Sequence, residues 1–470
     1  MLLCTVSVFS LDTRDSDTIL AQNYFAWAQK RVDEGRWREA RAGLERSLDF
    51  ADVSSDISYL LALVRLHEGA PRLLVLEAAE LALATGRWRH YTAEQGKLLY
   101  ARLLIGLHTF SAALDTLAGV SECAEKCELQ LLAFKGLNNR AAFDTAAVFA
   151  LDMYPRNPVF VRIIFTYFAD GDMLPERNER DIIYLCLSRL PILMEYDPEL
   201  AYLAVPFIPN EVHARLLVAA YLATYKPNAD SIPAALSLGL IDEQSAIDTM
   251  FDSVIDKETL LSVWNLCTDT GRTGIRQRLL SWTGVITTDT DKDGIVEMQI
   301  SYRNGRIASY REDTDQDDAM ELIVLFENGI PIRAETGGIT VQWERYPAIL
   351  SADLKGSRYF PKPNDFFFEP LRFTALVQGS VLYPERNKQT ASRLTERTLL
   401  ASAILIERDS AGFSGAKERI ELVSGIPQCA REYVNEKLVS ETTYRQGTPL
   451  IKKIDFDLDG MFETTLVLGE

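Results

Sequence analysis

The stretch Asp289–Gly329, DTDKDGIVEMQISYRNGRIASYREDTDQDDAMELIVLFENG, sets the grammar of residues 282–470. One unit is written in it almost twice. An acidic loop runs Asp289, Asp291, Asp293, Gly294, Glu297, and a second follows 24 residues later as Asp313, Asp315, Asp317, Asp318, Glu321. Asn304-Gly305 and Asn328-Gly329, also 24 apart, read as two-residue hairpin turns, because Asn-Gly accepts positive φ at both central positions. Between them, Ile295–Tyr302 and Ile307–Tyr310 alternate or run β-branched. The unit is strand, turn, strand, acidic loop, which predicts antiparallel hairpins.

A third copy closes the sequence as Asp455, Asp457, Asp459, Gly460, Glu463, with Gln446-Gly447 eight residues before it, the offset that Gly305 keeps to Asp313. Four carboxylates within nine residues repel one another unless a cation sits between them. Hard oxygen donors with no His or Cys nearby point to calcium. Gly329-Ile-Pro331 and Gly425-Ile-Pro427 mark further turns of one style. The middle of this region fits the pattern poorly: Phe366–Phe368 reads as a buried edge and Leu394–Glu407 as one helix on the sheet.

The pattern Asp-x-Asp-x-Asp-Gly-x-x-Glu shares its first six positions with the EF-hand loop, but its last carboxylate comes at position nine. In that it resembles the calcium loops of integrin-type propeller blades. The resemblance implies side-chain oxygens at positions one, three, five and nine and a backbone carbonyl at position seven. The ligand sets would be Asp289, Asp291, Asp293, Ile295 and Glu297; Asp313, Asp315, Asp317, Ala319 and Glu321; and Asp455, Asp457, Asp459, Met461 and Glu463. Asp318 replaces the glycine of the sharp turn in the second loop, so that site is expected to be the weakest. A structural role for calcium is the default.

Residues 18–280 read as helix after helix, with apolar residues at three-to-four spacing and breaks at Gly, Pro and Asn. Ala28 and Gly35 recur as Ala62 and Gly69, 34 residues on. The first unit carries Tyr24, Trp27, Ala28, Gly35, Trp37, Ala40, Leu44 and Ser47; Ala101, Phe110, Ala113 and Leu117 keep the same offsets with His108 in place of the turn glycine; a later unit ends at Ala150, Pro155 and Pro158. This resembles the tetratricopeptide repeat across residues 20–160. The resemblance implies a helical solenoid whose concave face takes a protein or peptide partner, and it assigns Tyr24 and Trp27 to the core. Segments such as Asp181–Met194, Glu211–Thr224 and Asp242–Ile255 continue as helices without the signature.

The expected fold is therefore α+β and multidomain. A tetratricopeptide-like solenoid spans 18–160, degenerate helical repeats or a cap span 161–280, and a mainly antiparallel β-hairpin-repeat domain spans 282–470. The net charge of −18 over 470 residues would fall to about −12 with three calcium ions, and either value excludes a nucleic-acid partner. Residues 1–10 (MLLCTVSVFS) are apolar and end in small residues, as a signal peptide without its basic leading part would. That reading places the protein outside the cytoplasm, in the periplasm or cell envelope. If the segment is instead a buried strand or helix end, the protein is cytoplasmic. No stretch of the sequence reaches the length of a membrane span.

Six cysteines make no disulfide framework, though Cys123 and Cys127 are spaced to bridge or to sit as buried thiols. No phosphate loop, nucleophile elbow or Cys–His pair is present. The functional expectation is a non-enzymatic exported scaffold with a calcium-stabilised β domain. The alternatives are an adhesin-like or glycan-binding β module on a helical spacer and a carboxylate-dependent hydrolase.

Overall fold

The computed structural model describes residues 13–50, 54–169, 177–251, 254–290, 295–363, 365–387, 394–413 and 415–469. The apolar N-terminal segment 1–10 lies outside them. The chain forms two compact units. One comprises 1–240 with 290–295 and 315–319, and the other comprises 241–289, 296–314 and 320–470.

The first unit is built of consecutive helix hairpins: α1 (Thr13–Asp33) with α2 (Trp37–Phe50), α3 (Ser55–His67) with α4 (Arg72–Thr85), α5 (Ala93–Gly106) with α6 (Phe110–Leu117), and α7 (Ala124–Gly136) with α8 (Arg140–Met153). It continues through α9 (Pro158–Ala169), α10 (Arg177–Leu193), α11 (Leu200–Leu203), a 3-10 turn at Val205–Phe207, α12 (Glu211–Thr224) and α13 (Ile232–Ser237). Ala28, Ala40, Ala62, Ala101, Ala113 and Ala147 are wholly buried where helices meet, since only a methyl fits there.

The hairpin turns share one backbone. Gly35, Gly69, His108 and Asn138 all take positive φ (72°, 67°, 56° and 50°). In each, the following residue's N–H reaches back across the turn, from Arg36 to Arg31, Ala70 to Arg65, Thr109 to Leu104 and Asn139 to Phe134, at 2.8–3.0 Å. This is the Schellman closure. His108 thus occupies the glycine position of its repeat without changing the turn. At Gly69 an added Cβ meets nothing within 4 Å, so Gly69→Ala isolates the backbone term. Chemical unfolding of that variant is expected to show a loss of about 1–2 kcal/mol; an unchanged midpoint would mean the turn is not under this constraint.

Successive hairpins are keyed by a buried carboxylate. Asp56, in the first turn of α3 and 2% exposed, accepts the backbone N–H groups of Arg89 (2.9 Å), His90 (3.2 Å) and Tyr91 (3.0 Å), while Ser55 Oγ accepts that of Arg87 (2.8 Å). The loop entering α5 has no helical partner for these donors, and Asp56 supplies one.

One expectation for the first helix is corrected. Phe25 and Ala28 take the core side of α1, whereas Trp27 is 38% exposed and Tyr24 half-buried. Trp27 lies outside against Gly43, with the Arg31 guanidinium 4.9 Å above its ring, and Tyr24 stacks on Phe50. One residue is about 100° of helix, so Trp27 cannot share the direction of Ala28.

The second unit begins with helices. α14 (Glu243–Met250), α15 (Lys257–Leu266) and α16 (Asp269–Ser281) belong to the sheet's unit, so the compact division falls near 240 rather than 282. The helix expected over Asp242–Ile255 stops at Met250, and β1 (Val254–Asp256) pairs parallel with β2 (Gly284–Thr288). From β2 onward each strand pairs antiparallel with the next: β3 (Met298–Arg303), β4 (Arg306–Glu312), β5 (Leu322–Glu327), β6 (Ile330–Thr336), β7 (Ile339–Arg345), β8 (Ala348–Leu354) and β9 (Ser357–Pro361).

A separate hairpin, β10 (Leu371–Ala375) with β11 (Leu382–Arg386), interrupts the order, and Tyr302 Oη ties it to the sheet by donating to the Leu382 carbonyl at 2.8 Å. β9 then pairs with β12 (Ala403–Asp409), followed by β13 (Lys417–Val423), β14 (Ile426–Val434), β15 (Lys437–Arg445), β16 (Thr448–Ile454) and β17 (Thr464–Val467). The expected helix over Leu394–Glu407 is only α17 (Glu396–Ser402), capped by Thr395; the alternating Ile404 and Ile406 continue as β12. Of Phe366–Phe368, Phe368 is buried and Phe367 exposed.

Among the described residues the result is one 15-stranded sheet, an antiparallel meander from β2 onward that skips the β10–β11 hairpin, where propeller blades would be separate small sheets. A single cross-strand row forms its spine. Through direct pairing, Ile286, Ile300, Tyr310, Val324, Ala334, Val341, Ala352, Tyr359, Ile406, Ile420 and Ala430 stand side by side, all buried. The tight turns Asn304-Gly305, Asn328-Gly329, Lys355-Gly356, Ser424-Gly425 and Gln446-Gly447 have positive φ at both residues, the type I′ form that matches strand twist.

Three residues into β4, β6, β14 and β16 the register slips by one. The bulge lets Pro331, Pro427 and Pro449, which lack an N–H, follow the turn. It also resets the alternation, so that Ile307 and Tyr310 are buried three apart instead of two.

Candidate metal centre

The loop between β16 and β17 begins where Asp455 N–H meets the Val439 carbonyl of β15 at 2.8 Å, which leaves the Asp455 side chain 2% exposed under the loop. Leu458 N–H donates to Asp455 Oδ1 (2.7 Å) and Gly460 N–H to Oδ2 (2.9 Å). Phe456 N–H holds Glu463 Oε2 (2.8 Å), Asp459 N–H holds Asp457 Oδ1 (3.1 Å) and Met461 N–H holds Asp459 Oδ1 (2.7 Å). Each carboxylate is thereby aimed by a backbone donor.

One oxygen from each of Asp455, Asp457, Asp459 and Glu463 lies within 4.8 Å of the others. Ligands on opposite sides of a calcium ion, at 2.3–2.6 Å each, stand about 5 Å apart, so this set fits around one ion. Without a cation each pair is repulsive by about 1 kcal/mol in water-like surroundings and ~3–4 kcal/mol at an effective dielectric of 20.

The loop between β4 and β5 is built alike. Asp313 N–H meets the Glu297 carbonyl (2.8 Å), Thr314 N–H holds Glu321 (2.9 Å), Asp317 N–H holds Asp315 Oδ1 (3.3 Å) and Ala319 N–H holds Asp317 Oδ1 (2.8 Å). Position four is left-handed in both loops (Gln316 56°, Leu458 63°), as is position six (Asp318 69°, Gly460 96°). The difference lies in convergence: Asp313, Asp315 and Asp317 come together, and Glu321 does not join them.

In the loop between β2 and β3, Asp289 and Ile295 are half-buried and Glu297 buried, whereas Asp291 and Asp293 lie outside the described residues.

Beneath the last loop, Glu432 on β14 is buried and accepts from Lys452 Nζ (2.7 Å) and from the Ser410 and Ser440 hydroxyls. Burial alone would raise its carboxyl; the bonds from Lys452, Ser410 and Ser440 outweigh that and hold it below its ordinary value. The cluster pins the turn between β12 and β13 to the strand leading into the acidic loop.

Sequence reading missed the company this loop keeps. Phe456, Met461 and Phe462 interleave with its acids and are exposed, a signal present in the letters. In the helical unit a cleft of about 1090 Å³ opens between α1 and the 87–90 turn, lined by Gln22, Phe25, Gln29, Phe50, Arg89 and His90 among others. Cys123, Cys127, Cys186, Cys267 and Cys429 are free thiols, and burial pushes Cys186 up to about 12. No helix of the described residues is long and apolar enough to cross a membrane.

No family model matches the chain. An uncharacterized protein of Treponema pallidum (strain Nichols) is 22% identical across 98% of this chain and 76% of its own length. Among solved structures, a tetratricopeptide repeat protein from Parabacteroides merdae covers 55% of this chain and 98% of its own at 13% identity and a TM-score of 0.37. Pseudomonas aeruginosa pilF covers 56% and 99% at 16% identity and a TM-score of 0.30. The reading of the helical unit rests on its own hairpins and turns, described above.

Proposed function

We propose that the chain is a non-enzymatic exported scaffold, with a helical unit that takes a protein or peptide partner and a β unit stabilised by calcium. The observation that carries the calcium part is the convergence of Asp455, Asp457, Asp459 and Glu463, each held by a backbone N–H. Backbone donors fix the carboxylates before the ion arrives, so its attraction is not spent on ordering them. Calcium is the better fit than magnesium, which keeps its waters and seldom accepts an all-protein cage.

The acids support a structural role over hydrolysis. Three of the four stand exposed at a loop tip, whereas hydrolysis of a glycosidic bond is the work of an enclosed cleft. Partner binding is supported by the cleft beside α1 and by apolar side chains left exposed on the later helices, among them Tyr184, Ile192, Val212 and Leu216. Export is supported by the apolar residues 1–10 and suits weak calcium sites, which millimolar calcium outside cells keeps filled.

The test is thermal unfolding of the full chain with calcium against a chelator. At calcium about a hundred times the dissociation constant, one site adds ~2.7 kcal/mol. The transition of the β unit is therefore expected to rise by several degrees, and further as calcium increases. Asp457→Asn should remove most of the rise and Asp315→Asn a smaller part, since only three carboxylates converge in the second loop. A transition indifferent to calcium would reduce the loops to solvated turns.

A further inference from the structure

The three acidic loops differ in what stands between their acids. At position two they carry Thr290, Thr314 and Phe456; at position seven Ile295, Ala319 and Met461; at position eight Val296, Met320 and Phe462. Only the last loop pairs its carboxylates with aromatic side chains, and they point to solvent: Phe456 is 65% exposed, Met461 71% and Phe462 36%. The strand that follows leads back from the tip with Leu466 and Val467 also exposed. Lys453 sits beside this tip, exposed, with its ammonium 5.8 Å from the Phe462 ring centroid. Three exposed apolar side chains at one hairpin tip lose free energy in water and call for a partner.

Chemistry selects the partner. Calcium takes six to eight oxygens; one oxygen from each of the four carboxylates, with the Met461 carbonyl that the loop resemblance implies, makes five, which leaves positions for outside oxygens such as those of phosphate. Phenylalanine and methionine flanking those positions suit the boundary between headgroups and acyl chains, and a lysine beside them suits anionic headgroups. With no calcium the same carboxylates repel an anionic surface.

We propose that the β16–β17 hairpin tip docks onto anionic phospholipid membranes when its loop holds calcium. Phe456 and Phe462 enter the interface, and lipid phosphate completes the ion's coordination. This rests on the calcium reading above.

The experiment is co-sedimentation of the full chain with vesicles of phosphatidylcholine containing phosphatidylglycerol, in calcium and in chelator, alongside the melting curve. The chain is expected to pellet with these vesicles in calcium alone, and not with pure phosphatidylcholine. Phe456→Ser combined with Phe462→Ser should weaken pelleting by about tenfold or more while leaving the calcium-dependent rise in melting temperature in place. Asp457→Asn should lose the pelleting and most of the rise. A calcium-dependent rise without pelleting, or undiminished pelleting by the double variant, would overturn the membrane proposal and leave the calcium site standing. Loss of the rise itself would remove both together.

Discussion

Asp56→Ala is expected to destabilise the helical unit by about 3–5 kcal/mol, among the largest losses available to a single substitution here. The carboxylate is 2% exposed and accepts three backbone N–H groups from residues 89–91. Alanine takes the shared acceptor away from all three donors, and each buried donor left unsatisfied costs about 1–3 kcal/mol. Asp56→Asn keeps the shape but offers one acceptor oxygen in place of two and turns an amide N–H toward the donors, so an intermediate loss is expected. Because the bond joins α3 to the loop entering α5, the loss should appear in the helical transition of a urea titration followed by far-ultraviolet circular dichroism. Equal stability of Asp56→Ala and the wild type would show that the hairpins are held by side-chain packing alone.

The second large effect belongs to Tyr310. It is wholly buried in the spine row, between Ile300 and Val324, and its hydroxyl donates to Glu312 Oε2 at 2.9 Å. Burial, with the Glu312 charge and hydrogen bond beside it, holds the phenol far above its usual range, so it remains a neutral donor at any ordinary pH. Tyr310→Ala removes the ring and leaves a cavity, for an expected loss of about 3–5 kcal/mol in the transition of the β unit. Tyr310→Phe keeps the ring and gives up one bond to a charged acceptor, for about 1.5–3 kcal/mol. If Tyr310→Phe proved as damaging as Tyr310→Ala, the spine would be held by its polar contacts and not by apolar packing.

Both residues show where the letters stop being sufficient. The small residues Ala28 and Ala62 and the turns at Gly35 and Gly69 are legible because their requirement is local: a methyl at a contact and a positive φ at a turn. The Asn-Gly turns and the last two acidic loops are legible for the same reason, since loop backbone follows from a few adjacent residues. Asp56 is different. Its partners lie 33–35 residues away, and nothing near it in sequence marks it as other than an early-turn acid. Residues 394–407 read as one helix because a short helix hands over to a strand inside one apolar run. Trp27 was misassigned because an aromatic at repeat spacing fits either side of a helix contact until its neighbours are placed.

The central claim is that the acidic loops are calcium sites that stabilise the β unit, and isothermal titration of the full, metal-stripped chain with calcium tests it most directly. The account predicts saturable binding, weaker or absent with magnesium, and loss of the tightest step in Asp457→Asn with the weaker binding retained. A titration with no heat beyond dilution, or one that Asp457→Asn leaves unchanged, would contradict it.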